Sequence, residues 1–359
     1  MFTVLLIDQP NLDSSATLWH GPSLLRSSFD VAATNQTPRI AVIVPVRNRR
    51  DLLRRTLDAL DRQEYQDFEL IVVDDGSTDG SDEEAAARPI AKRAVRVLPG
   101  GGNGAVAARM VAIAATDAEI LAFTDSDCEP SPQWLSSAMR HVDEGAALVH
   151  GLTMPERPVR PLERSVTEIN FGLFPTCNLV VTRDAYDAVG GFDATAAGRW
   201  RYRASGRARG LGFGEDTIFG WAIARQMPAV YDETMLVHHH VFPPDLAEWV
   251  SRSWQMGAFP ALVREVPELR TTLMRRKVLW GKRSRVPVYA TAGALLTRQP
   301  LLIALATGWW VLHRYRYTLR KTGLSLPATV AALPAQLLLD LIQASSLVTG
   351  SVRARTIVL

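Results

Sequence analysis

The chain has 359 residues, 47% apolar and 21% charged, too apolar for a disordered segment and too polar for a bundle of membrane spans. Its two cysteines, Cys128 and Cys177, exclude a disulfide scaffold and a cysteine-rich zinc fold. The net charge of +3 conceals a division: residues 1–263 carry 25 basic and 34 acidic side chains, whereas residues 264–359 carry 15 and 3.

The apolar run from Met1 to Ile7 stops at Asp8 and has no basic residue ahead of it, so it does not read as a signal peptide. With so few cysteines, a reducing cytosol is the expected compartment. Residues 1–38 read as an N-terminal lead-in without periodicity. From Ile40 a strand–helix rhythm begins. Ile40–Val44 is a buried-strand run that Pro45 should end. Leu53, Thr56, Leu57 and Leu60 recur at helical spacing. Phe68–Val73 is a second strand, and Ser77–Ala87 reads as a helix with an acidic first turn. Val95 and Val97 mark a third strand, Ala105–Ala115 a small-residue helix, and Ile120–Phe123 a fourth strand. Alternation of this kind implies a parallel sheet, in which ligands bind beyond the carboxyl ends of the strands. The polar clusters of this region all fall at such ends.

Five clusters have residue types suited to chemistry. Asp125-Ser126-Asp127 follows a strand; two carboxylates two residues apart can grip a hard divalent cation, or form a solvated acidic turn. Asp74-Asp75-Gly76-Ser77-Thr78-Asp79 offers a carboxylate to a base or ribose, with Ser77 or Asp79 as a helix cap. Gly100-Gly101-Gly102-Asn103-Gly104 lets backbone approach a phosphate at a helix start, though it is neither a dinucleotide fingerprint nor a P-loop. Arg109, one turn later, can reach a nucleotide or form an ion pair. Gly214-Glu215-Asp216 puts carboxylates at a helix start, suited to a general base or to a helix dipole. His238-His239-His240 can add an imidazole to a metal site.

The order of these motifs is more specific than any one of them. Pro45-Val46-Arg47-Asn48, Asp74-Asp75-Gly76-Ser77, Asn103-Gly104 with Ala108-Arg109, Asp125-Ser126-Asp127, Asn178-Leu179-Val180, Gly190-Gly191-Phe192-Asp193, Gly214-Glu215-Asp216 and Val237-His238-His239 occur in the order found in family 2 glycosyltransferases. The resemblance spans roughly residues 38–250. It implies an α/β GT-A fold, with a Rossmann-like nucleotide-binding half (39–150) and an acceptor half (151–263). A helical, basic and apolar extension (264–359) follows. It implies an inverting transfer from a nucleotide-sugar, such as a UDP-sugar, to a hydroxyl of a glycan or lipid-linked acceptor, aided by Mn²⁺ or Mg²⁺. By the same resemblance, Pro45, Arg47, Asp75, Gly104, Arg109, Asp125 and Ser126 face the nucleotide-sugar. Asp127 and His238 hold the metal. Asp216 is the base, and Glu215 places the acceptor hydroxyl. Asn178, Gly191 and Trp221 stand where acceptor contacts are expected. Met110 departs from the family's usual Asn, and the Gln-x-x-Arg-Trp signature of processive synthases is absent. A non-catalytic nucleotide-sugar binder and a sugar nucleotidyltransferase are the alternatives. The latter usually carries a Gly-rich loop after its first strand, where this chain has Pro45-Val46-Arg47-Asn48.

The loop before Glu215 holds Arg199, Arg201, Arg203, Arg207 and Arg209, suited to a lid over phosphates, an acceptor dock or a solvated loop. Beyond 264, uncharged runs at 286–297 and 299–313 fall short of the ~18–20 residues that a spanning helix needs. After Pro334, Gln336, Asp340 and Gln343 repeat at helical spacing opposite Leu337, Leu338, Leu341 and Ile342. Basic residues, tryptophans and an apolar stripe suit the interface of an anionic membrane, here the inner face of the plasma membrane. The alternative is a helical annex packed on the catalytic domain. No nucleic-acid motif is present.

Overall fold

The computed structural model describes residues 38–87, 89–160, 162–193, 213–274, 277–278, 285–322 and 325–358. The lead-in to residue 37 and the five arginines of the loop before Glu215 lie outside the described residues. The first half alternates as the sequence predicts: β1 (Ile40–Val46), α1 (Arg50–Asp61), β2 (Phe68–Asp74), α2 (Ser81–Ala86), β3 (Arg96–Pro99), α3 (Ala105–Ala114) and β4 (Ile120–Phe123). Then come β5 (Cys128–Pro130), α4 (Trp134–Asp143), β6 (Leu148–Pro155), β7 (Leu179–Thr182), α5 (Arg183–Ala188), α6 (Glu215–Ala224) and β8 (Ala229–His239). Among the described residues, eight strands form one sheet in the order β3-β2-β1-β4-β7-β6-β8-β5. Strands β1 to β4 pair in parallel, and β7 runs antiparallel between β4 and β6. A parallel Rossmann-like half therefore continues into a mixed second half, the α/β architecture expected from the motif order.

Strand β1 lies at the centre and is buried throughout. Its alternate residues feed two cores. Ile40, Val42 and Val44 join Leu53, Leu57 and Leu60 of α1 and Leu135 and Ala138 of α4. Ala41 and Ile43 face Ala108 and Ala112 of α3 and Phe219 and Ile223 of α6. A strand covered on both faces reads as a continuous apolar run, which is why it was visible in the sequence. It does not stop at Pro45, as expected, but runs on to Val46. The Pro45 nitrogen faces the β4 side, where pairing with β4 ends at Ile43, so no sheet donor is lost there. Helix α2 starts four residues later than expected, because Ser77 and Thr78 are tied to Asn48 and Asp74 instead. The cap position itself is Gly80, not Ser77 or Asp79; Asp79, the residue before it, accepts the Ser81 N–H at 3.1 Å. The pairing of β6 with β8 requires a glycine: a Cβ on Gly151 would sit 1.9 Å from the Met235 carbonyl oxygen.

After β8 the chain is helical: α7 (Leu246–Gln255), a short 3-10 turn (Met256–Ala258), α8 (Phe259–Glu265), α9 (Leu269–Thr272), α10 (Arg285–Thr297), α11 (Pro300–Thr322) and α12 (Leu326–Ala354). Helix α12 passes straight through Pro334, which the sequence had suggested as its start. Leu347 of α12 and Val358 pack with Phe213, Phe259, Leu262 and Val263. The extension is thus joined to the mixed half by a shared core. Its polarity is reversed relative to a soluble bundle. Asp340 and Gln343 are buried, whereas Leu338 and Leu341 are 44% and 48% exposed. The buried groups are satisfied: Asp340 accepts from Trp310 Nε1 at 2.9 Å and is bonded to Arg314. Gln343 accepts from Arg285 at 2.7 Å and donates to Ser253 at 3.1 Å. On the outside, Leu301, Leu305, Trp309 and Leu312 of α11 continue the apolar surface.

The backbones of α12 and the 3-10 turn touch at Gly350, where a Cβ would meet the Gly257 carbonyl oxygen at 2.1 Å. Substituting Gly350→Ala should therefore cost about 1–3 kcal/mol, as overpacking does, despite the better helix propensity of alanine. Urea denaturation of the full chain checks this; an unchanged or higher midpoint would mean that the two segments are not in contact.

Candidate active site

The carboxyl ends of β1, β2 and β4 and the start of α3 bring the first three motifs together. Asp75 follows β2 and is almost fully buried. Its Oδ2 accepts the Gly104 N–H at 2.9 Å, so the glycine loop and the second motif are bonded to each other. Gly104 adopts a φ of 91°, which lets its N–H turn toward that carboxylate. Asp75 Oδ1 has no partner among the described residues, and Arg47 stands 3.8 Å from Oδ2 with a largely exposed side chain. Pro45 is buried beside them. This corner offers a ligand one unused carboxylate oxygen and one exposed cation.

Beyond β4, Asp125, Ser126 and Asp127 are all buried. Asp125 is bonded to Arg109, which lies in α3 and is itself buried, so this pair is internal rather than on the surface. Asp127 Oδ2 is bonded to Arg49, which precedes α1. Burial would raise the Asp127 carboxyl, but Arg49 above all outweighs it and holds the group at about 2. The other oxygen, Oδ1, faces His239 Nε2 at 3.6 Å. His239 Nδ1 lies 2.8 Å from the His240 carbonyl oxygen, which can only accept, so in the neutral ring the hydrogen is assigned to Nδ1. Nε2 is buried and has no hydrogen-bond partner among the described residues. A lone pair and a carboxylate oxygen then face each other, an arrangement that a cation between them would satisfy. Cys128 Sγ completes a group whose candidate ligand atoms lie within 4.8 Å of one another. Burial and contact with Cys177 push its thiol well above the ordinary range.

This corrects the histidine expected at the metal. His238 is exposed, whereas His239 is buried against Asp127. The cause is strand alternation. Met235, Val237 and His239 point inward along β8, so His238 points outward. That alternation is legible in the sequence and identifies the inward residue of the triplet. Arg49 carries no comparable signal.

Glu215 and Asp216 open α6, capped by Gly214 in a left-handed conformation, and both are buried. Asp216 Oδ1 accepts its neighbour's N–H, from Thr217, at 2.8 Å, and Thr217 Oγ1 donates to the Leu173 carbonyl at 2.7 Å. Burial, reinforced by Glu215, raises the Asp216 carboxyl to about 6, against an opposing pull from Arg109. Arg109 thus acts on Asp125 and Asp216 together. Glu215 Oε2 is buried without a partner among the described residues. The motif reading had not foreseen Glu168, a third buried carboxyl, which burial raises to about 8.

The residues expected at the acceptor are engaged elsewhere. Asn178 is fully buried, accepts from Trp134 Nε1 at 2.9 Å and donates to the Leu152 and Met235 carbonyls at 3.0 Å. It braces β6, β7, β8 and α4, its amide committed to the protein. Gly191 lies against Tyr186, whose hydroxyl a Cβ would meet at 2.5 Å. Trp221 donates its indole N–H to the Gly172 carbonyl at 2.8 Å and packs edge-on against Phe174.

Comparison with known proteins places these motifs in a family. The model of glycosyl transferase family 2 matches residues 41–196. The chain is 31% identical over 206 residues to glycosyltransferase AglE of Haloferax volcanii, covering 52% of this chain and 67% of that one. It is 27% identical over 245 residues to the pre-mycofactocin glycosyltransferase of Mycobacterium tuberculosis, and spans about half of that protein (48%). Among solved structures, similarity extends to the mannosyltransferase PcManGT of Pyrobaculum calidifontis, in complex with GDP-Man and Mn²⁺ (18% identity, 89% of this chain and 88% of that one, TM-score 0.49). It extends also to TarS of S. aureus in complex with UDP (19% identity, 89% and 92%, TM-score 0.48). With the family model on residues 41–196 and a relative, 31% identical, matched over two thirds of its length, the chain belongs to glycosyl transferase family 2 and is a glycosyltransferase.

Proposed function

We propose that the chain moves a sugar, with inversion, from a nucleoside-diphosphate sugar to a hydroxyl of a glycan or lipid-linked acceptor held near a membrane surface. The observation that carries this reading is Asp216, a buried carboxyl at a helix start, raised to about 6. Such a group is ionised at neutral pH yet basic enough to take a proton from an attacking hydroxyl. The Asp216 carboxylate removes that proton as the oxygen attacks the anomeric carbon from the face opposite the diphosphate. The partnerless Glu215 Oε2 accepts from the same acceptor and orients it.

On the donor side, Asp75 Oδ1 and Arg47 receive the base and ribose, with Pro45 and Gly104 forming the floor. Ser126 and the Arg109–Asp125 pair line the approach to the diphosphate. Asp127 and His239 are the residues that would hold a divalent cation, Mn²⁺ or Mg²⁺. When bound, that cation neutralises the charge gathering on the leaving diphosphate. A UDP-sugar is the first donor to test.

Residues 39–263 carry the chemistry in this reading, and 264–359 the placement. Support for a membrane comes from the reversed polarity of the extension. A helical layer that buries Asp340 and Gln343 and exposes leucines and Trp309 has its apolar surface turned toward whatever lies outside. The surrounding charge of +12 over residues 264–359 favours an anionic surface. Helix α12 is long and apolar enough to cross a bilayer by length and composition. Its polar face is packed through Gln343 onto Ser253 of α7, so we assign it to the interface, on the cytoplasmic side. The core shared by α12, α8 and Phe213 puts this layer behind the helix that carries Asp216.

Asp216→Asn should lower the transfer rate by roughly 10²–10⁴-fold while leaving nucleotide-sugar affinity within about twofold, measured by single-turnover kinetics and calorimetry. Turnover at the normal rate would remove Asp216 from the role of base. Membrane placement is checked by flotation with vesicles of phosphatidylglycerol and phosphatidylcholine. The full chain should rise with the vesicles, and the double variant Leu338→Glu, Leu341→Glu should remain below while retaining turnover on a soluble acceptor. A wild-type chain that stays below contradicts the placement.

A further inference from the structure

Arg49 sits between β1 and α1, where its carbonyl accepts the Leu53 N–H and its own N–H donates to Ser81 Oγ. The backbone is therefore fixed at both sides, and only the side chain is free to choose a partner. Its guanidinium donates to Asp127 Oδ2 and lies 5.0 Å from the Phe242 ring centre. A second guanidinium, that of Arg164, lies 3.8 Å from the same ring. The Asp127 side chain is fully buried, while that of Arg49 is 28% exposed. One oxygen of Asp127 thus belongs to a partly exposed cation, and the other faces the partnerless nitrogen of His239.

A guanidinium and a dication cannot both sit on one small buried carboxylate without strong repulsion. A guanidinium that leaves must find another anion, since an unpaired buried charge is costly. An incoming diphosphate is such an anion, and a planar guanidinium suits its oxygens. We propose that Arg49 is an exchangeable counter-charge: it holds Asp127 until a divalent cation and a nucleoside diphosphate arrive together, and then passes to the phosphates. The proposal rests on the reading of Asp127 and His239 as cation ligands. Its consequence is coupling. The diphosphate draws Arg49 from Asp127 and so raises affinity for the cation. By reciprocity, the cation raises affinity for the nucleotide by the same factor.

The test is Mn²⁺ binding to the full chain, read from the electron paramagnetic resonance signal of free Mn²⁺, with and without UDP or GDP. Wild type should bind Mn²⁺ weakly alone and about tenfold or more tightly with nucleotide, within the usual range of coupling. Arg49→Gln should bind Mn²⁺ alone about tenfold more tightly than wild type, and its coupling to nucleotide should shrink to about threefold or less. Arg49→Lys, which keeps a positive charge, should remain close to wild type. An Arg49→Gln chain that is folded by circular dichroism and binds Mn²⁺ no tighter than wild type overturns the proposal. Asp127→Asn separates the two levels of the argument. Loss of Mn²⁺ binding in that variant supports the cation site whatever Arg49 does, and retained binding overturns the site itself and with it the exchange.

Discussion

Four aspartates are buried at or near the carboxyl edge of the sheet, and the cost of burying their charge organises the site. A carboxylate removed from water must be paired, hydrogen-bonded or partly neutralised. Asp75 accepts a backbone N–H from the glycine loop. Asp125 takes Arg109, and Asp127 takes Arg49. Asp216 has no cation bonded to it among the described residues, and burial raises its carboxyl to about 6, whereas Arg49 above all holds the buried Asp127 at about 2. The distribution of partners therefore separates carboxylates suited to holding positive charge from one suited to accepting a proton. Arg109 links the two groups, because it is bonded to Asp125 and also acts on Asp216.

The same logic explains the extension. Asp340 and Gln343 are polar groups in a buried layer, and each is tied to an arginine of a neighbouring helix. Those ties, with a small apolar cluster of Val288, Trp310 and Ala344, fix α10, α11 and α12 to one another and, through Ser253, to α7. The leucines and Trp309 are left outward. Packing between α12 and α8 carries this layer up to Gly214, whose Cβ, if present, would lie 3.0 Å from Leu262. The start of the Asp216 helix thus rests on α8, against which α12 packs in turn, so the proposed chemistry and the proposed placement share one wall.

The parallel half was legible because its strands are buried on both faces and its polar clusters sit where such strands end. The motifs around Asp75, Gly104, Asp125 and Asp127 converge for that topological reason. Other features depend on partners distant in the chain. Asn178 lies in a recognisable motif, yet only the fold reveals that Trp134, Leu152 and Met235 use up its amide. Arg49 is one of several arginines after β1, and nothing local distinguishes it from Arg50. His239 is the intermediate case: period-two alternation from Met235 selects it over His238, but the motif alone does not. The continuity of β1 through Pro45 required knowing that β4 ends two residues earlier in register. The outward apolar face of α12 was visible as a stripe, whereas the partners that cover its polar side were not.

The central claim is that burial without a bonded cation raises the Asp216 carboxyl toward neutral pH, whereas the arginine-paired Asp127 stays low. It is tested most directly by carboxyl ¹³C resonance of aspartate-labelled full chain titrated between about pH 2 and pH 8, with Asp216→Asn supplying the assignment. The account predicts a resonance, absent from the variant, that titrates near 6, protonated below and ionised above. A resonance assigned to Asp216 that titrates below 4, in the ordinary range of aspartates, would contradict it.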